Sequence, residues 1–99
     1  MKVVERIERQ AELIRDLVTE LRVETSYRGV ERLVQLIIQA LLDMGLMAIS
    51  ALRARKPDRY SDIGPTLYGL GLLSGDDAEK LRALAGLRNI LIHMYTYID

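Results

Sequence analysis

Residues 33–52 read LVQLIIQALLDMGLMAISAL, and apolar side chains occupy nearly every direction round the axis of the helix that they predict. One narrow polar row interrupts them: Glu31, Gln35, Gln39 and Asp43. A helix apolar on most sides must be buried on most sides. The run is broken too often by Gln35, Gln39 and Asp43 for a bilayer span, so no membrane span is expected. It predicts a core helix in an all-α bundle. A chain of 99 residues has too little material to cover such a helix completely. A second copy is therefore expected to supply the rest of the cover, as a homodimer.

Working outward, Thr25 or Ser26 can cap this second helix, which is expected to run to about Arg53. Before it, Val3, Ile7, Ala11, Ile14, Leu17 or Val18, and Leu21 recur every three or four residues and form one apolar stripe on a first helix. Its other face, with Glu5, Arg6, Glu8, Arg9, Glu12, Arg15 and Asp16, reads as solvated surface. After the second helix, Pro57 breaks the pattern, and Arg53, Arg55, Lys56 and Arg59 crowd the helix end. Those cations either complement exposed helix carbonyls or contact phosphate. Ser61 to Leu72 predicts a short helix with Pro65 in its first turn. Ser74 and Asp77 form a capping-box pattern opening a last helix through Leu81, Leu84, Leu87, Leu91, Met94 and Ile98. Residues 1–99 thus predict a single domain, an up-and-down bundle of four main helices plus a short one.

Composition narrows the chemistry. Net charge is zero, so no global field draws the chain to nucleic acid or anionic lipid, and any phosphate site must come from local clustering. The absence of cysteine excludes disulfides, thiolate metal sites and cysteine nucleophiles, which suits the cytoplasm. The opening MKVVERIERQ lacks the apolar core of a signal peptide.

The remaining chemistry gathers in GLRNILIHMY, residues 86–95, which holds the single histidine. On an ideal helix Arg88 and Tyr95 lie on almost the same line, Asn89 and His93 share another, and Arg88 and His93 stand about 140° apart. In a straight helix that pair does not meet. Either the helix bends, the arginine reaches round, or a symmetry mate supplies the missing group. Spacing alone allows a plainer reading, in which His93 is an incidental core or interface residue. No HExxH or carboxylate cluster accompanies it, so no metal site is expected.

In this stretch, Arg88-Asn89-Ile90-Leu91-Ile92-His93 followed by Tyr95, the sequence resembles the HEPN superfamily and its HepT-like toxin branch. YRGVERLVQLIIQALLD (27–43) resembles the family's second helix, and PDRYSDIGPTLYGLGLL (57–73) its connecting segment and short third helix. The first helix matches in kind only, and MGLMAISAL (44–52) is more apolar than the family pattern. The resemblance implies a dimeric helical bundle with a metal-independent endoribonuclease site in the dimer cleft. Arg88 and His93 would be catalytic, with Asn89 supporting them and no cofactor needed. An imidazole gives or takes a proton near neutral pH, and a guanidinium suits a charged phosphorane. The resemblance also implies the toxin of a type VII-like toxin–antitoxin pair. Its partner would be an MNT-type nucleotidyltransferase antitoxin that transfers AMP to Tyr95. By itself Tyr95 also reads as an interface aromatic. The alternative is a non-catalytic nucleotide-binding or scaffolding HEPN partner of a nucleotidyltransferase.

Overall fold

The long apolar helix is present and everything else is packed around it. The computed structural model describes residues 2–96, with the backbone alone for Tyr95 and Thr96. Within these residues four α-helices, α1 (Val3–Val23), α2 (Tyr27–Ala51), α3 (Ile63–Gly69) and α4 (Gly75–Thr96), are joined by short connections, and a 3-10 turn, Tyr60–Asp62, precedes α3. No strand occurs among the described residues. α2 has the length and mean hydropathy, 1.8, of a bilayer span. Here it is a core helix, with α1, α3 and α4 packed against it.

Local chemistry fixes the helix ends. The Gly29 amide donates to Ser26 Oγ at 3.0 Å, opening α2. The Glu24 carboxylate accepts from the Ser26 hydroxyl at 2.6 Å and the Ser26 amide at 3.1 Å. Those bonds hold its pKa below the ordinary carboxylate value. α2 ends at Ala51 rather than Arg53, because Arg53 takes a left-handed conformation at φ 54°. There the Arg53 and Ala54 amides close back on the carbonyls of Ser50 and Ile49, at 3.0 and 3.1 Å. The segment expected as one short helix from Ser61 to Leu72 is instead the 3-10 turn followed by α3. It stops where the Gly71 and Leu72 amides return to Tyr68 and Leu67. Ser74 Oγ accepts from the Asp77 amide at 3.1 Å, as the capping pattern predicts. α4 then runs unbroken through Gly86.

The core joins Ile38, Leu42 and Ile49 of α2 to Ile63 and Leu67 of α3 and Ala85 of α4. α1 contributes no fully buried residue. Two glycines let the helices meet. A methyl on Gly45 would sit 2.7 Å from Ile63 Cγ2, and one on Gly64 would collide with the backbone carbonyl of Ala78. This close approach sets the rotation of α4. The small side chains of Ala78 and Ala85 are buried, with Leu81, Arg88 and Ile92 half-buried along the same side. The expected seam of Leu84, Leu87, Leu91, Met94 and Ile98 is therefore not the inward face. Leu84 and Leu91 flank it, while Leu87 and Met94 are exposed with Ile90. Ile98 lies outside the described residues. Leucines cannot fit where the backbones nearly touch.

The surface that remains is large. It amounts to 7093 Å², against roughly 5,700 Å² for a typical folded monomer of this mass.

Gly64→Ala should lower stability by about 3 kcal/mol, roughly 10 °C or more in melting temperature, because the clash is with backbone. Gly69→Ala, whose added methyl meets nothing within 4 Å, should melt close to the parent in the same calorimetric series. A second expectation follows from Glu24. Its folded pKa is depressed, so its stabilisation is present above the unfolded value and is lost as pH falls through the folded one. Glu24→Ala should melt below the parent at neutral pH, and the gap should close below about pH 4. A gap independent of pH would contradict this account of the cap.

Candidate functional site

α4 turns Arg88 inward, toward the polar row of α2. The Arg88 Nε–H donates to Gln39 Oε1 at 2.5 Å, a contact between residues 49 apart in the chain. Gln39 Nε2 donates in turn to Asp43 Oδ1 at 2.9 Å, one turn further along α2. The guanidinium carbon lies 4.5 Å from the centre of the Tyr60 ring, a stacking distance. Arg88 Nη1 makes a long contact, 3.4 Å, with Asn89 Oδ1. Three elements therefore meet at one half-buried cation: α4 supplies Arg88 and Asn89, α2 supplies Gln39 and Asp43, and the 3-10 turn supplies Tyr60.

His93 does not join them. It is exposed, about 140° round the straight helix from Arg88. Within one chain the arginine reaches to α2 and not round to the histidine. Asn89 is exposed as well, on the line of His93, so its side chain stands between the two environments. Tyr95 lies on α4 two turns beyond Arg88, and its side chain falls outside the described part of the structure.

The basic segment divides. Lys56 and Arg59 line a cavity of about 230 Å³ with Tyr60 and Pro57, beside the arginine site. Lys56 also lines a neighbouring cavity of about 370 Å³ with Arg6 of α1 and Asp43 of α2. Arg55 lines a third depression with Lys56, Asp62 and Thr66, which Tyr60 does not line. Arg53 is accounted for by its conformation at the end of α2. Of the four cations, Lys56 and Arg59 are the two that line a cavity with Tyr60, the residue stacked on Arg88. Among the described residues no three His, Asp or Glu side chains converge on one point.

Sequence reasoning named Arg88 and missed its partners. Gln39 and Asp43 were visible as a polar row on an apolar helix, a signal that something polar must face them. Tyr60 carried no signal of its own; only the folded chain brings it here.

Comparison with known proteins adds a family. Residues 3–99 match the family model described as "Ribonuclease HepT-like". A protein of Archaeoglobus fulgidus named "Putative RNase" is 29% identical over 96 residues, spanning 97% of this chain and 72% of that protein. No solved structure matches the chain.

Proposed function

This chain belongs to the HepT-like ribonuclease family, and from that premise we propose that it is a metal-independent endoribonuclease, the toxin of a type VII-like toxin–antitoxin pair acting in the cytoplasm. The observation that carries the reading is the Arg88 cluster. A family-signature arginine is half-buried, hydrogen-bonded and stacked, which is the treatment of a residue held in one orientation rather than of a solvated surface charge.

The site is completed by a second copy. In one chain Arg88 and His93 occupy different sides of α4, so a common pocket needs the histidine or arginine of a twin. Three features support a homodimer along α4: exposed Leu87, Ile90 and Met94 on one stripe beside His93, the surface excess, and α2 left partly uncovered. A Cα radius of gyration of 14.4 Å, against about 13 Å for a compact domain of this length, agrees with them.

The chemistry needs no external nucleophile. The RNA 2′-oxygen attacks the adjacent phosphorus as its proton passes to one His93 imidazole. The P–O5′ bond breaks, and a protonated imidazole of the other copy gives the leaving oxygen its proton. The products are a 2′,3′-cyclic phosphate and a free 5′-hydroxyl. Arg88 spreads its charge over the phosphorane oxygens, and Asn89 orients His93 one turn on or contacts phosphate. Lys56 and Arg59, and less directly Arg53 and Arg55, would hold flanking phosphates of the strand. Control is by an MNT-type nucleotidyltransferase antitoxin that moves AMP from ATP to the Tyr95 hydroxyl, releasing pyrophosphate. Tyr95 is only about 20° off the line of Arg88, two turns away, so the new phosphodiester would lie beside the guanidinium and block the pocket.

The purified protein should cleave RNA with EDTA present, and His93→Ala should reduce cleavage by at least about a hundredfold while remaining folded and dimeric. Equal cleavage by both would leave the alternative, a non-catalytic nucleotide-binding or scaffolding partner of the nucleotidyltransferase. Incubation with that enzyme and ATP should raise the intact mass in steps of one AMP, and Tyr95→Phe should abolish the increase. An increase that survives Tyr95→Phe would remove Tyr95 from the scheme.

A further inference from the structure

The three contacts on Arg88 differ in kind, and together they leave one edge of the guanidinium with a single long contact. Gln39 Oε1 occupies Nε. The Tyr60 ring covers one face. Nη1 has a single long contact, to Asn89, and Nη2 has no hydrogen-bond partner among the described residues. The edge that carries both Nη groups is therefore the one that can grip a phosphate through two parallel hydrogen bonds.

Asp43 decides how Gln39 acts. A glutamine amide has nearly the same shape either way round, and only its oxygen can accept from Nε–H. A carboxylate can only accept, so Asp43 binds the amide nitrogen and leaves the oxygen facing Arg88. Both residues are half-buried, where such bonds are stronger than in water. Neither Gln39 nor Asp43 lies on α4; Gln39 reaches the arginine, and Asp43 acts on it through Gln39, because the polar row of α2 faces α4.

We infer that Gln39, oriented by Asp43, and the ring of Tyr60 are positioning residues that fix Arg88 with its Nη edge turned toward the RNA phosphate. The role of that edge rests on the ribonuclease reading above; the fixing of Arg88 does not. Tyr60 acts through its ring and not its hydroxyl, and Gln39 through its oxygen and not its size.

Two measurements test this on the full-length protein. In the first, the Arg88 Nε–H is followed by ¹H–¹⁵N NMR, with its exchange against water. The parent should show a protected signal. Gln39→Met, which keeps the bulk and loses the acceptor, should lose that protection while the backbone amide spectrum stays native. Gln39→Glu, which keeps an acceptor, should retain it. Tyr60→Leu should shift the Arg88 side-chain resonances as the ring current disappears, and Tyr60→Phe should restore them. In the second, cleavage kinetics should show kcat falling about tenfold to a hundredfold in Gln39→Met with KM little changed. Tyr60→Leu should behave likewise, and Tyr60→Phe should recover most of the loss. An unprotected Nε–H in the parent, or protection that survives Gln39→Met, overturns the inference. So does a Gln39→Met enzyme with the parent's kcat. Protection that responds as expected in a protein that cleaves no RNA would uphold the fixing of Arg88 and overturn the ribonuclease reading instead.

Discussion

An apolar helix that carries one polar row imposes two demands at once, and the structure is largely the answer to both. α2 must be covered on most sides, and the amides and carboxylates along its row must meet hydrogen-bonding partners wherever the cover excludes water. α3 and α4 meet the first demand with Ile63, Leu67 and Ala85. Arg88 meets the second, since it is the side chain of α4 that comes to Gln39 and, through it, to Asp43. A residue expected to do chemistry is thus also the residue that satisfies the polar side of the core helix. Its orientation follows from the way α2 is buried.

Close packing governs how this is achieved. Gly64 admits the Ala78 carbonyl, and the helix approaches on its alanine side. Once that side is chosen, the larger side chains Leu87, Ile90 and Met94 are carried outward. The same rotation therefore sends a cation in and an apolar stripe out. A conventional leucine seam would have reversed both, burying the stripe and leaving Arg88 at the edge.

This also explains what could be read from the chain and what could not. Ser26 and Ser74 announce their helices because a cap is a local device, complete within three residues. The all-α class follows from periodicity, and the family from the string around Arg88 and His93. The rotation of α4 was not legible, because it depends on a contact between Gly64 and Ala78 that no helical wheel contains. Arg53 in a left-handed conformation is equally silent, since glycine is the residue that usually marks such a position. Tyr60 looked like part of a basic connecting segment; its meeting with Arg88 is a product of topology. The polar row was legible as a question whose answer lay about half the chain away.

One further property follows from α1. It lies on α2 with no fully buried side chain, fixed in register by Gln10, whose amide nitrogen donates to the Ala40 carbonyl at 3.0 Å. Regions with little buried apolar contact open at far lower free energy than the core they rest on. α1 is accordingly the outermost cooperative unit of the fold. Opening at this helix would leave the packing of α3 and α4 on α2, and the contacts of Arg88, in place.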